Sequence, residues 1–341
     1  MKLSVVDQSP VPAGFTPGDA LRNSLDLARF TESLGYERFW VAEHHSTASL
    51  ASPSPEILLA RVGAETSRIH IGSGATLLPH YAPLKVVEQF MMLESMYPGR
   101  VEIGIGRAPG GSRLDSFALS RYRSMEKEVD DFPNQLAELL AFLHDGFPEE
   151  HPFSRIDVSP HPGSVPDVWL LGSSGWSAEA SAQLGLPYAA AHFIGPQATR
   201  ASVERYYANF KPSKYLDAPK VLACVGAIVA ETEEEAQYHA SSQRLRRHLR
   251  DTGIQERGPI PTPEDALARL EGVPPAGPER GAEWPRIFVG ETSQVHEQLQ
   301  SMATALKVDE LMLITVVHNH EARKRSYELM AQAFGIEAPS T

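Results

Sequence analysis

The stretch Arg100–Gly111, RVEIGIGRAPGG, joins an alternating apolar run to a glycine-rich turn with one arginine. The alternation predicts a short buried β-strand. Gly104 and Gly106 remove side chains at the end of this strand, which allows a flat or phosphorylated ligand to approach the backbone. Arg107 follows with a guanidinium suited to bidentate contact with phosphate. A plain turn with a surface arginine explains the stretch equally well. Gly110 stands one residue too late for the dinucleotide-binding pattern GxGxxG.

Similar apolar runs recur along the chain, and helical segments separate them. The eight runs are Leu3–Asp7, Arg38–Ala42, Ile69–Thr76, Arg100–Ile105, Val168–Leu171, Pro187–Phe193, Val221–Ala230 and Glu310–Val317. Nearly continuous apolar strands indicate parallel pairing with both faces covered. Eight strand–helix units in series predict an α/β fold, a (β/α)₈ TIM barrel formed by residues 1–341 as one domain. A doubly wound open sheet is the alternative.

Two long segments interrupt this pattern. Gly106–Arg123 is polar and predicts a loop, and Ser124–Leu143 after it predicts a helix that Pro133 bends. The segment 253–285 is rich in proline and glycine, which predicts an inserted loop or lid after the seventh strand.

The composition restricts the partners and the compartment. The net charge is −12 and there is no basic run, so we expect neither nucleic acid nor an anionic membrane as a partner. No apolar run reaches the length of a membrane span, and the N-terminus does not resemble a signal peptide. These features predict a cytoplasmic protein. The single cysteine, Cys224, lies in an apolar run and is expected to be a core residue.

A histidine follows the second predicted strand, where the active sites of such barrels form. His44 lies in the sequence Glu43-His44-His45. A single histidine at a strand end suits a general acid or base, although a structural histidine is the plainer alternative. His44, His192 and His318 would form a metal site if they converged. No paired ligand motif completes such a set, so we predict no metal.

Small and hydroxyl-bearing residues follow two further strands. After the fifth strand, Gly172, Ser173, Ser174 and Ser177 resemble a phosphate cradle at a helix start, to which Arg107 would add charge. An ordinary serine cap is the alternative. After the third strand, Gly72-Ser73-Gly74-Ala75 predicts a flat floor, which favours a flavin mononucleotide over a small sugar phosphate. Close packing of a helix on the strand also explains it.

Four stretches together resemble the bacterial luciferase-like flavin-dependent monooxygenases. They are RFWVAEHH from Arg38, IGSGATLLPHYAPLKVVEQF from Ile71, PGRVEIGIGRAPG from Pro98 and VWLLGSSGWSAEASAQLGLPYAAAHF from Val168. The resemblance runs from Leu3 to about Phe334. It implies a (β/α)₈ barrel that binds reduced FMN and uses O₂ to oxygenate a small organic substrate such as an aldehyde. It also implies a separate NAD(P)H:flavin reductase and, through the helix Pro83–Met96, a homodimer.

The resemblance assigns roles residue by residue. His44 matches the acid/base near the flavin, Arg107 the arginine near the phosphate, and Ser174 and Ser177 the phosphate-binding hydroxyls. Gly74–Ala75 matches a cis peptide bond under the flavin ring. Some relatives use the deazaflavin F420, so an F420-dependent oxidoreductase is one alternative. A non-catalytic protein that stores FMN is another.

Overall fold

The computed structural model describes residues 1–108, 110–120, 131–254, 256–274 and 279–337. Within these ranges the strands are β1 (Lys2–Asp7), β2 (Arg38–Val41), β3 (His70–Ser73), β4 (Thr76–Leu77), β5 (Val101–Gly106), β6 (Asp167–Gly172), β7 (Tyr188–Ala191), β8 (Val221–Ala230), β9 (Ile287–Glu291) and β10 (Glu310–Ile314). The helices are α1 (Pro17–Ser33), α2 (Pro55–Glu65), α3 (Pro83–Met96), α4 (Arg113–Ser120), α5 (Phe132–Leu143), α6 (Gly175–Leu184), α7 (Thr199–Asn209), α8 (Glu233–Asp251), α9 (Pro263–Arg269), α10 (Thr292–Leu306) and α11 (His320–Phe334).

Eight of these strands close a parallel barrel in the order β1, β2, β3, β5, β6, β7, β8 and β10. The last strand closes the ring because β10 pairs with both β1 and β8. Leu311, for example, pairs with Leu3 on one side and with Ala223 on the other. The predicted (β/α)₈ barrel is confirmed, and the open-sheet alternative is wrong.

Two short strands were not predicted. β4 pairs with the end of β5, where Thr76 faces Ile105. β9 pairs with the outer half of β8, from Gly226 to Ala230. Since β9 is only partly buried and ends in Gly290-Glu291, its sequence lacks the continuous apolar character of the barrel strands.

Three local predictions need correction. The segment 106–123 contains helix α4, which begins where Ser112 and Asp115 cap each other's backbone amides. The 253–285 segment contains helix α9, where the Thr262 hydroxyl accepts from the Asp265 amide. Pro133 does not bend a helix, because α5 begins at Phe132 and Pro133 occupies its first turn. Residues 109 and 121–123 of the predicted loop, 124–130 of the predicted helix, and 255 and 275–278 of the predicted lid lie outside the described residues.

Large side chains fill the barrel interior at the amino-terminal ends of the strands. Arg38 is buried there between the carboxylates of Glu102 (3.0 Å) and Glu310 (2.7 Å). Above this ion pair, the rings of Trp40 and Trp169 meet edge to face with centroids 5.5 Å apart. These large side chains close the lower half, so open space remains at the carboxyl ends of the strands. No helix among the described residues has the length and apolar character needed to cross a membrane.

Candidate active site

A cavity of about 530 Å³ opens at the carboxyl ends of the barrel strands. Its volume falls in the range of small-molecule sites. All eight residues predicted for catalysis or cofactor binding line it: His44, Gly74, Ala75, Arg107, Gly172, Ser173, Ser174 and Ser177. The structure therefore brings the predicted site residues together from four strand ends.

The floor of the cavity is the backbone that follows β3. The Gly74–Ala75 peptide bond is cis, as the resemblance implied. A Cβ atom on Gly74 would lie 3.0 Å from Cγ2 of Val6 and 3.1 Å from Cβ of Trp40. Glycine at this position therefore lets the floor rest directly on the residues that fill the barrel.

Gly104 has a different role from the one that the sequence suggested. A Cβ atom there would lie 1.9 Å from the carbonyl oxygen of Ser73. The Ser73 hydroxyl also donates to the Gly104 carbonyl at 2.9 Å. Gly104 thus allows β5 to approach β3, whereas Gly106 lines the cavity itself.

His44 lies in the cavity wall directly after β2. Its backbone amide donates to the Ser52 carbonyl at 2.9 Å. Nδ1 of its ring is buried and has no hydrogen-bond partner among the described residues. Burial, with a smaller contribution from His45, lowers the pKa of His44 from 6.5 to about 4. The imidazole is therefore neutral at pH 7, and its unpartnered nitrogen argues against a purely structural histidine.

The predicted phosphate cradle lies at the start of α6. Ser174 is the residue before the first turn, and within the described chain no side chain caps this helix. The guanidinium carbon of Arg107 lies 4.9 Å from the ring centroid of Trp176 in that turn. Amides at a helix start together with a nearby guanidinium form an anion site.

Ser177 is more buried than the other cradle serines. Its hydroxyl is buried and donates to the Ser174 carbonyl at 3.1 Å. A Cβ atom on Gly172 would lie 1.9 Å from this hydroxyl, so the glycine makes room for the serine. The hydroxyl of Ser177 is thus used inside the first turn of α6, whereas Ser173 and Ser174 are less buried.

The histidines proposed as an alternative metal set are engaged separately. His192 is within hydrogen-bond distance of the Thr199 hydroxyl and the Pro285 carbonyl, both at 2.9 Å. Nε2 of His318 donates to the Ala13 carbonyl at 3.0 Å. Among the described residues, the one cluster with metal-ligand spacing is Asp26, His320 and Glu321, outside the cavity. His44, His192 and His318 therefore form no ligand cluster.

Parts of the 253–285 segment lie against the cavity wall. Ile260 is fully buried and exchanges backbone hydrogen bonds with Val11 and Ala13 in the loop after β1, each at 2.8 Å. Arg286, the residue that directly follows the segment, donates to the carbonyl oxygens of Phe193 (3.1 Å) and Ile194 (2.6 Å), two cavity-lining residues. A lid function of this segment stays a prediction.

Cys224 lies at the inner end of the cavity. It is buried, as expected for a core residue, and burial raises the pKa of its thiol. The thiol is therefore protonated at neutral pH and does not act as a thiolate nucleophile.

The chain is similar in sequence and structure to known proteins. The family model for luciferase-like monooxygenases matches residues 1–309. The uncharacterized protein YwcH of Bacillus subtilis (strain 168) is 39% identical over 335 residues, which are 98% of this chain and 99% of YwcH. N-acetyl-S-alkylcysteine monooxygenase of the same organism is 33% identical and 98% of each chain is covered. The crystal structure of apo-MsnO8 superposes with a TM-score of 0.91 at 43% identity, covering 98% of both chains.

Two more distant structures share the fold and were solved with different flavins. The oxygenating constituent of 3,6-diketocamphane monooxygenase from Pseudomonas putida, in complex with FMN, has a TM-score of 0.67 at 18% identity, covering 99% of this chain and 98% of that one. An F420-dependent secondary alcohol dehydrogenase, in complex with an F420–acetone adduct, has a TM-score of 0.66 at 12% identity, covering 99% of both chains. At these identities the likeness concerns the barrel alone.

Proposed function

The chain belongs to the luciferase-like monooxygenase family, and we propose that it binds reduced FMN and uses O₂ to oxygenate a small organic substrate. The observation that carries the proposal is one cavity that combines a neutral histidine, a floor of small residues and a cationic cradle. The flavin, when bound, would supply the activation of oxygen. The protein residues would bind it, orient it, exclude water and move protons.

The cradle suits the phosphate group of FMN. Residues at the start of α6 line the cavity, and the helix dipole favours a negative charge there. Arg107 adds a permanent positive charge, and Ser173 and Ser174 add hydroxyl donors at the same end of the cavity. We propose that this group of residues holds the phosphate.

The opposite part of the cavity suits a flat ring system. Gly74 and Ala75 form its floor, and Val6, Ala189 and Ala191 form apolar walls. His44 lines this space, and Nδ1 of its ring is buried without a hydrogen-bond partner among the described residues. A neutral imidazole can both accept and donate a proton, so we propose that His44 is the acid/base of the reaction.

The inner walls also restrict the substrate. Around Ala189, Ala191 and Cys224, the described lining has no permanently charged side chain. Because burial of an unpaired charge is costly, we propose a substrate whose reacting end is uncharged, of which an aldehyde is one example.

The exposed apolar residues of helix α3 support a proposed homodimer. Phe90, Met91 and Leu93 belong to the core. Met92 and Met96 on α3 are 58% and 44% exposed, and Ile57 on the neighbouring α2 is 70% exposed. We propose that a second copy covers these side chains and that a separate NAD(P)H:flavin reductase supplies the reduced FMN.

The experiment that tests the proposed reaction uses isotopically labelled oxygen. The full chain is supplied with reduced FMN, ¹⁸O₂ and a panel of uncharged aldehydes, ketones and thioethers, and the products are analysed by mass spectrometry. A product that carries one ¹⁸O atom supports the proposal. A parallel reaction contains F420 and a secondary alcohol, and oxidation of the alcohol there without incorporation of ¹⁸O would favour the F420 alternative. Tight binding of oxidised FMN with no product from any substrate would favour storage.

A further inference from the structure

The Glu43 carboxylate is a buried group at the cavity wall to which sequence analysis assigned no role. Its side chain has no exposed surface. One carboxylate oxygen accepts from the Leu77 backbone amide at 2.9 Å. The other accepts from the Tyr81 hydroxyl at 2.8 Å and lies 2.6 Å from Nε2 of His45. One side chain therefore gathers three donors from two segments of the chain.

The contact between Glu43 and His45 depends on which nitrogen of the His45 ring carries a hydrogen. An ionised carboxylate has acceptors and no donor. The 2.6 Å contact with such a carboxylate is therefore a hydrogen bond when Nε2 of His45 carries the hydrogen. A side chain that offers one oxygen in place of two cannot satisfy all three donors in this geometry.

The partners of Glu43 belong to the loops that form the cavity. Leu77 lies two residues beyond Ala75, and both line the cavity. The backbone amide of His45 donates to the carbonyl of Gly110, in the loop after β5, at 3.2 Å. Glu43 and His45 therefore join the exit of β2 to the floor segment and to the loop that begins with Arg107.

In the chain, His44 lies between Glu43 and His45. Both neighbours are held by their side chains, and the amide of His44 itself is bonded to Ser52. We propose that Glu43 is a positioning residue, which fixes the floor at Gly74–Ala75 and the ring of His44 in the relative placement that a bound flavin requires. The inference rests on the proposed function, because it assumes that the cavity takes a flavin.

The substitution Glu43→Gln tests this role. Glutamine keeps the size of the side chain and one acceptor, but its NH₂ group faces donors. At least one buried donor then loses its partner, and the loops shift to restore it. We expect the Kd for reduced FMN to rise about tenfold or more, since small displacements in a preorganised site have effects of this order. We also expect a changed visible circular dichroism spectrum of the bound flavin.

Glu94→Gln is the matched control. Glu94 is also a buried carboxylate, and it likewise accepts from a backbone amide, that of Gly99 at 2.7 Å, and from a hydroxyl, that of Ser164. It lies on α3 and does not line the cavity. Both donors reach the same oxygen of Glu94, and Oε2 has no partner among the described residues, so glutamine can keep both contacts. This variant is expected to leave the Kd for FMN and the spectrum of bound FMN unchanged. A folded Glu43→Gln variant with wild-type Kd and spectrum would overturn the proposal.

Tyr81→Phe covers the case in which Glu43→Gln does not fold. It removes one of the three donors and leaves the carboxylate in place. The expected rise in Kd is about threefold, smaller than for Glu43→Gln because the carboxylate keeps its other two contacts, with a spectral change in the same direction as any seen in a folded Glu43 variant. An unchanged Kd and spectrum in Tyr81→Phe would contradict the role of Glu43.

A flavin-independent measurement separates this inference from the proposed function. If the wild-type protein bound neither FMN nor F420, the proposed function would fail. The titration of His44, followed by NMR of its ring protons without any flavin, then tests the positioning alone. A His44 titration that moves in Glu43→Gln or Tyr81→Phe and not in Glu94→Gln supports the inference, and an unmoved titration in both overturns it.

Discussion

The guanidinium of Arg107 stacks on the indole of Trp176, with 4.9 Å between the guanidinium carbon and the ring centroid. The indole is itself held by Phe132 of α5, whose ring centroid lies 5.5 Å away in an edge-to-face arrangement. This contact joins the end of β5 to the first turn of α6. It keeps a cation beside the amides at the start of that helix, where an anion would bind.

Removal of the Arg107 charge should weaken binding of the phosphate group specifically. Hydrogen bonds to charged groups contribute about 1.5–3 kcal/mol, so Arg107→Met is expected to raise the Kd for FMN by roughly 10- to 100-fold. Riboflavin, which lacks the phosphate, should bind the variant and the wild type equally well. Fluorescence titration with both ligands measures this difference, and Arg155→Met is the control at an exposed arginine. Equal losses for FMN and riboflavin would contradict a phosphate contact.

Replacement of His44 should separate binding from chemistry. His44→Gln is expected to bind FMN with nearly wild-type affinity, because the cradle and the floor are unchanged. Product formation should fall by about 10²- to 10⁴-fold, the usual contribution of a general acid or base. Single-turnover assays with reduced FMN and O₂ measure both quantities, and His161→Gln at an exposed site is the control. Wild-type turnover in His44→Gln would remove His44 from the reaction.

Burial of His44 also makes the stability depend on pH. The pKa of this group is about 4 in the folded chain and 6.5 in its ordinary state. Between these values the unfolded chain binds a proton that the folded chain does not, so the contribution of His44 to stability falls as the pH decreases from 6.5 to 4. At about 1.4 kcal/mol for each pH unit in that window, the loss is about 3 kcal/mol.

His44→Gln removes this pH-dependent contribution. Urea denaturation of both proteins at a series of pH values should show that the wild type loses stability more steeply than the variant between pH 6.5 and pH 4. Other buried histidines such as His192 contribute equally to both curves and cancel in the comparison. Parallel curves would mean that His44 titrates normally in the folded protein.

The contact between Gly104 and Ser73 predicts a severe effect of one added methyl group. A Cβ atom on Gly104 would meet a backbone carbonyl oxygen at 1.9 Å, and β5 and β3 would have to separate. We expect Gly104→Ala to lower the free energy of unfolding by about 3 kcal/mol or more. Gly258→Ala is the control, since a Cβ atom there meets no atom within 4 Å. Similar stability of the two variants in urea would show that the strands adjust freely.

The barrel was predictable because each of its strands is a nearly continuous apolar run, which is the local signature of a parallel strand buried on both faces. The half-exposed β9 and the two-residue β4 have no such signature. Helices α4 and α9 are short and lie among glycines and prolines, so the loop signals around them obscured their caps at Ser112 and Thr262.

The candidate site was predictable where its chemistry is local to one strand end. His44, Arg107 and the serines before and within α6 each follow a strand directly, and the barrel brings such ends together. Glu43 was missed because its role depends on Leu77 and Tyr81, which are 34 and 38 residues further along the chain. Only the folded barrel brings these donors to one carboxylate, and the sequence around Glu43 does not indicate it.

An anaerobic titration of the wild-type protein with reduced FMN, with F420 measured in parallel, tests the central claim most directly. We propose that the cavity holds one phosphate in its cradle and one ring system on its floor, so we predict saturable binding of one reduced FMN per chain, tighter than the binding of F420. Tighter binding of F420, or no binding of reduced FMN, would contradict the assignment of this cavity to FMN.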